Sequence, residues 1–225
     1  MSDSHQPGAP IRYAVRRSNR ARRIRVTVDS TRGVEVVLPR RATDAAARAA
    51  ITELEPWIER RLRELDHQRA AIAARGDTVP YLGDELRLVF EAGRERVHRR
   101  GGLLLVPAGA GCRPALERWY RLAARREIAA RLDRACAQVG HVYTKLSIRA
   151  QRTRWASCSR SGAMSFNWRL LLAPEPVLDY VVWHEVCHLE VMDHSQRFWQ
   201  LVATRCPGYE VQRAWLRRNG ETLIL

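Results

Sequence analysis

The stretch VVWHEVCHL, residues 181–189, places two histidines four positions apart in an otherwise apolar helical pattern. Residues four apart lie on one face of an α-helix, so the imidazoles of His184 and His188 can reach a single ion. Glu185 follows the first histidine and projects close to that ion without needing to bind it. A general base for a metal-activated water occupies this position. The stretch predicts a metal-carrying helix of the His-Glu-x-x-His type, with Zn²⁺ as the cofactor and Glu185 as the catalytic residue.

A catalytic zinc needs a third protein ligand and an open position for water. His194 lies six residues after His188, beyond the expected end of the helix, and a turn there can bring a third imidazole back to the ion. Glu190, Asp193 and Glu210 are competing third ligands, with His194 preferred. Asp193 is alternatively a partner that orients an imidazole. The competing interpretation is that these histidines are ordinary helix or capping residues without a metal.

The first half of the chain is rich in strand patterns. Alternating apolar residues over 24–28 and 34–37 flank the turn-forming residues 30–33 and predict a β-hairpin. Thr43 or Asp44 caps a long amphipathic helix. A second β region follows over residues 86–106, where apolar residues again alternate.

The second half is rich in helices. One helix runs from about Pro114 to Val139 and ends at Gly140. Strands are expected over 145–151 and 163–169, and the metal-carrying helix begins near Pro174 and Pro176. Two shorter helices are expected to follow, opened by Asp193 or Ser195 and by Pro207-Gly208.

Strands in the first half and helices in the second indicate an α+β fold. We expect a disordered tail over residues 1–10 and a β-rich N-terminal region with one long helix over 11–111. Residues 112–225 are expected to form a small zincin-like, metal-binding catalytic domain built on the His-Glu-x-x-His helix. No internal repeat divides the chain further.

The composition favours a cytoplasmic protein with a positive surface. The net charge is +15, which attracts nucleic acid, nucleotides or other polyanions. Seven arginines between residues 12 and 25 are either a phosphate-binding stripe or a solvated strand face, and the second interpretation is preferred. Five cysteines without a Cys-x-x-Cys pair indicate reduced thiols. No signal peptide and no membrane span are expected.

Several motifs resemble the YgjP-like branch of the zinc metallopeptidases, which is related to the SprT-like proteins. They are HEVCHL (184–189), DHS (193–195), FW (198–199), RWASCS (154–159) and NWRL (167–170). The likeness is strong over residues 149–225 and looser before them. It implies three zinc ligands and one catalytic residue: His184, His188, His194 and Glu185.

Three functions are open at this point. The preferred one is a zinc metallopeptidase in which Glu185 deprotonates a metal-activated water and later protonates the leaving amine. The second is a metal-dependent phosphohydrolase acting on nucleotides, similar to a nucleoside triphosphate pyrophosphatase, which arginines around the cleft would favour. The third is a nucleic-acid-associated binding module with a structural metal, for which Asp193 or Cys158 would be a fourth ligand.

Other side chains near the motif have less definite roles. Arg154, Asn167 and Tyr180 are candidates for contacting the substrate or stabilising an oxyanion. The strand over 163–169 is either an edge strand that pairs with an extended peptide or an ordinary sheet strand. Cysteines and tryptophans around the motif are expected to pack the core: Cys158, Cys187, Trp155, Trp168, Trp183 and Trp199.

Overall fold

A computed structural model of the chain describes residues 10–29, 33–151 and 154–225, without the side chains of 67–69 and 71. The predicted tail, except Pro10, and most of the predicted hairpin turn lie outside the described residues. The chain forms two compact units, Met1–Ala74 and Arg75–Leu225. Residues 75–111, which were predicted as part of the N-terminal region, belong to the second unit.

The first unit combines a three-stranded sheet with one long helix. Its elements are β1 (Tyr13–Ser18), β2 (Arg25–Asp29), β3 (Gly33–Pro39) and α1 (Asp44–Ala73). The central β3 strand pairs antiparallel with β2, which confirms the predicted pairing, and parallel with β1. The side chain of Thr43 caps α1 by accepting a hydrogen bond from the Ala46 backbone N–H at 3.2 Å.

The second unit contains two sheets and four helices in its described part. Its strands are β4 (Thr78–Tyr81), β5 (Asp84–Glu91), β6 (His98–Arg100), β7 (Leu103–Pro107), β8 (Lys145–Arg149), β9 (Ala156–Cys158) and β10 (Ala163–Asn167). Its helices are α2 (Cys112–Val139), α3 (Glu175–Cys187), α4 (Gln196–Arg205) and α5 (Tyr209–Asn219). The sheets have the orders β4-β5-β7-β6 and β8-β10-β9. The chain therefore contains both β-sheets and α-helices, as predicted.

Of the two roles left open for the strand over 163–169, the structure agrees with the ordinary sheet strand and contradicts the edge strand. β10 lies in the centre of its sheet, parallel to β8 and antiparallel to β9, so both of its edges are already paired. The strand also ends at Asn167, because that side chain accepts a hydrogen bond from the Arg169 N–H and donates one to the Gln151 carbonyl. A 3₁₀ turn over Trp168–Leu172 follows. The unpaired edge of this sheet next to the histidine-bearing helix belongs to β9.

α3 lies in the core of the second unit. Pro174 is its N-cap, and Pro176 occupies the first turn, where a missing N–H costs no hydrogen bond. Its apolar side chains are almost fully buried: Val177, Leu178, Val181, Val182, Val186 and Cys187. Trp168 is in the same core, and Trp155, Trp183 and Trp199 pack against it while partly buried, as predicted. Within the described residues, no helix combines the length and apolarity needed to cross a bilayer.

A buried arginine fastens the beginning of α3 to α2. Arg131 is 7% exposed and contacts carboxylates on both helices. Its Nε donates to Asp179 at 2.9 Å, its Nη1 to Glu127 at 2.5 Å, and its Nη2 to Glu175. A buried guanidinium with several carboxylate partners resists separation, because removing one partner leaves uncompensated charge.

We expect Arg131→Ala to lower the free energy of unfolding of the second unit by about 2 kcal/mol. This is less than for a fully buried pair because the three carboxylates are partly solvated. Arg121→Ala is the matched control, since Arg121 forms a half-exposed pair with Glu117 on the same helix. Its loss should cost under about 0.5 kcal/mol. Urea unfolding followed by tryptophan fluorescence measures both. Equal losses in the two variants would contradict the role of Arg131.

Candidate metal centre

Three histidines from two consecutive elements meet at the end of α3. His184 lies in the last turn of α3 and His188 is its C-cap. The chain then turns back within a few residues, with the Val191 N–H donating to the Cys187 carbonyl at 3.0 Å. His194 follows immediately before Ser195, the N-cap of α4. One ring nitrogen from each histidine lies within 4.8 Å of the others.

The spacing of these nitrogens fits a single cation. His184 Nε2 and His194 Nε2 are 3.1 Å apart. Two nitrogens bound to a tetrahedral zinc at about 2.0–2.1 Å are separated by roughly 3.3 Å. His188 Nδ1 is 2.9 Å from the Val191 carbonyl oxygen. A carbonyl only accepts, so this contact places the proton on Nδ1 and leaves the lone pair of Nε2 free for a metal.

Burial keeps two of the imidazoles in the form that binds metals. Burial, with smaller contributions from the neighbouring His188, His194 and Arg213, lowers the pKa of His184 to about 3. Burial also lowers the pKa of His188. A metal ligand must be a neutral imidazole, so both residues are ready to coordinate at neutral pH.

Glu185 points into the same site with an unused carboxylate oxygen. It is 4% exposed, and its Oε2 has no hydrogen-bond partner among the described residues. Burial raises its pKa to about 8, while a hydrogen bond with the Cys158 backbone acts in the opposite direction. A buried carboxylate without an ion-pair partner is costly to keep and is typical of a functional site.

A pocket of about 310 Å³ opens over the histidines and Glu185. β9 and the turn after α3 supply the rest of its wall. Its lining residues are Arg154, Ala156, Ser157, Cys158, His184, Glu185, His188, Met192 and His194. The centre is therefore reachable from solvent while Glu185 itself stays buried.

The competing third ligands lie outside the group of three histidines. Glu190 pairs with Arg205 and with His141 Nε2, the latter at 2.9 Å. Asp193 accepts a hydrogen bond from the Ser195 N–H at 2.9 Å and thereby supports the start of α4. Glu210 lies in the first turn of α5.

Of the three residues predicted to contact substrate, Arg154 lines the described pocket, whereas Asn167 and Tyr180 are not among its lining residues. Arg154 is exposed and lines the pocket. Asn167 is 2% exposed and its amide is occupied in closing the end of β10, so it does not face the pocket. Tyr180 is buried and contacts His184 edge-on, with ring centroids 5.9 Å apart.

The cysteines near the site are protonated or buried thiols. Burial raises the pKa of Cys158 to about 11, which disfavours a thiolate nucleophile or ligand at neutral pH. Cys187 is fully buried and packs near Arg205, in agreement with the predicted packing role.

Some lining residues were not predicted from the sequence. Met192 and the strand residues Ala156 and Ser157 carry no chemical signature, and only the fold brings them to the pocket. Arg213, whose guanidinium lies over the ring of Trp199, was also missed. Its position on α5, one turn after Tyr209, is the only sequence signal that could have suggested it.

A family of known proteins matches most of the chain. The sequence profile described as the YgjP-like metallopeptidase domain matches residues 22–219. No curated protein shows significant sequence similarity to the chain. The crystal structure of the metallopeptidase zymogen of Pyrococcus abyssi abylysin aligns with 22% identity and a TM-score of 0.37, covering 40% of this chain and 93% of that one. A likeness of this size carries no inference about activity.

The raised pKa of Glu185 predicts a pH-dependent stability of the metal-free protein. The ordinary pKa is 4.5 and the folded value is about 8, so folding favours the protonated form. The protonated Glu185 contributes its full stabilisation of the folded state below pH 4.5, and this contribution is lost as the pH rises through 8. Between pH 6.5 and 8, the free energy of unfolding should fall by about 2 kcal/mol.

Glu185→Gln should remove this pH dependence, and Glu117→Gln, which changes a half-exposed carboxylate on α2, should keep it. The window avoids protonation of His184, whose lowered pKa acts with the opposite sign below 6.5. Urea unfolding with a chelator present gives the slopes. The same slope in wild type and Glu185→Gln would show that the carboxyl is not buried as described.

Proposed function

The chain belongs to the YgjP-like family of metallopeptidase domains, and on that premise we propose that it is a zinc-dependent peptidase. We propose His184, His188 and His194 as the zinc ligands and Glu185 as the general base. The observation that carries the proposal is the convergence of three imidazole nitrogens beside a buried carboxylate that has a free oxygen. Three protein nitrogens with one position left for water are typical of a catalytic zinc site.

Bound at the three imidazoles, zinc would supply Lewis-acid activation of a water molecule and of the scissile carbonyl. A cation beside Glu185 favours its ionised form, since an opposite charge lowers the pKa of a carboxyl group. The free Oε2 of Glu185 then accepts a proton from the attacking water. The same oxygen donates that proton to the amine that leaves.

The edge of β9 supports a peptide as the substrate. In the antiparallel pairing of β9 with β10, Ser157 lies opposite Ser165. The backbone bonds two residues to either side, from Ser159 N–H to the Ala163 carbonyl and from Asn167 N–H to the Trp155 carbonyl, indicate that the backbone groups of Ser157 face β10. Ala156 and Cys158 alternate with Ser157, so their backbone groups point away from β10. Both residues line the pocket. An extended peptide that pairs with Ala156 would pass over the histidines.

The phosphohydrolase alternative has less support. A triphosphate site usually gathers several cationic side chains, whereas Arg154 is the one arginine lining the described pocket. A structural metal in a nucleic-acid-binding module would need a fourth ligand, and neither Cys158 nor Asp193 belongs to the described histidine group. In the predicted basic stripe, Arg16 and Arg17 pair with carboxylates of the same unit.

We propose a cytoplasmic location on the basis of the thiols. All five cysteines are free, and Cys136 and Cys187 are buried in the core. Free thiols are typical of a reducing compartment.

Glu185→Gln should separate catalysis from metal binding. It removes the base and leaves the imidazoles in place, so zinc content should be unchanged while peptide hydrolysis falls by about 10²–10⁴-fold. His188→Ala and His194→Ala should lose stoichiometric zinc and activity together. Elemental analysis and hydrolysis of a peptide library are measured beside hydrolysis of nucleoside triphosphates. If Glu185-dependent turnover is found with the triphosphates and not with the peptides, the result would contradict the peptidase and support the phosphohydrolase.

Substrate pairing with β9 predicts a two-residue periodicity. Alternate amides of a bound strand face the neighbouring strand. N-methylating each backbone amide of a good substrate in turn should therefore lower kcat/KM strongly at every second position and weakly between them. A uniform loss, or none, would contradict addition of the peptide to the edge of β9.

A further inference from the structure

The three histidines differ in what holds their rings. His188 has the Val191 carbonyl as a partner for Nδ1. In the described part of the chain, the ring of His194 has His184 Nε2 as its hydrogen-bond partner and no carboxylate or carbonyl. His194 is also exposed to solvent. Metal-binding histidines are normally oriented by a hydrogen bond to such a group, so another interaction must restrain His194.

Two aromatic rings outside the histidine group contact His194. Phe198 meets it edge-on, with centroids 4.9 Å apart at 74°, and Trp199 lies at the smaller interplanar angle of 29°, with centroids 5.6 Å apart. Trp199 lies in the first turn of α4, where its backbone N–H donates to the Ser195 carbonyl at 3.2 Å. The indole of Trp199 is therefore carried by the first turn of α4, and His194 lies immediately before that helix.

The indole is itself held by residues of α5. Tyr209 stacks on Trp199 with centroids 5.5 Å apart at 12°, and the guanidinium carbon of Arg213 lies 4.2 Å from the indole centroid. Tyr209 also stacks on Tyr180, which contacts His184 edge-on. The rings therefore form a continuous series from one histidine to the other. We call it the aromatic bracket: Trp199, Tyr209 and Tyr180.

We infer that Trp199 is a positioning residue that fixes the ring of His194 for metal binding, in place of the usual hydrogen-bonded partner. This role rests on the proposed zinc site. An exposed imidazole without restraint populates several rotamers, and only those that face His184 and His188 can share an ion with them. Stacking on a rigid indole selects among these rotamers before the metal arrives, and the bracket prevents the indole from moving away.

The test compares Trp199→Leu, which removes the ring, with Trp199→Phe, which keeps one. Zn²⁺ affinity is measured by competition with a chromogenic chelator, and the visible absorption of the Co²⁺-loaded protein reports the ligand geometry. We expect Trp199→Leu to bind Zn²⁺ about 10-fold more weakly, in the range found when an outer partner of a ligand is lost. Its Co²⁺ spectrum should change, and Trp199→Phe should recover most of the affinity.

Trp119→Leu is the control for general loss of packing. Trp119 is also partly buried against the core of this unit, and its ring contacts are with Tyr81 and Tyr120. Its removal should leave Zn²⁺ affinity within about twofold of wild type. If Trp199→Leu does not fold, Trp199→Met supplies a flexible apolar side chain without a ring, with the same expected loss of affinity.

The possible failures are distinguishable. The positioning role is wrong if wild type and Trp199→Leu bind Zn²⁺ equally well. It is also wrong if Trp199→Phe loses as much Zn²⁺ affinity as Trp199→Leu. Neither result would contradict the zinc site. Wild type without stoichiometric zinc would overturn both the site and the role.

Discussion

The turn after α3 determines whether the three imidazoles can meet. A helix alone places His184 and His188 on one face, but His194 arrives only because the chain reverses at Val191. Two contacts hold that reversal: the Val191 N–H bonds to Cys187, and its carbonyl faces His188 Nδ1. A single residue thus fixes both the path of the chain and the tautomer of a proposed ligand.

The site concentrates polar groups that the fold alone would not retain. His184 Nδ1 and Glu185 Oε2 are buried without hydrogen-bond partners among the described residues. Each such group lowers stability, and a carboxylate beside an apolar core lowers it most. A cation at the imidazoles would offset part of this cost by attracting the Glu185 carboxylate. Buried polar groups that lower the stability of the fold are expected at sites of binding or catalysis.

The sequence predicted those features that have a local physical signal. Helical spacing indicated His184 and His188, and the distance of His194 beyond the expected helix end indicated a third residue that could turn back to them. Proline and glycine marked the ends of helices such as α2, which stops at Gly140 with a positive φ of 68°. β9 was missed because three residues cannot show a strand period. Without β9, the position of β10 at the edge or in the centre of its sheet stayed open. The structural role of Asn167 in closing β10 was not predicted, because a side chain that closes a strand looks, in sequence, like one that meets a substrate.

We propose that three imidazoles of this chain hold one zinc ion. X-ray absorption at the zinc edge of the purified protein reads out these ligands. We expect three imidazole nitrogens at about 2.0–2.1 Å with one further oxygen at a similar distance. A sulfur shell at about 2.3 Å, as Cys158 would give, or fewer than three imidazoles, would contradict it.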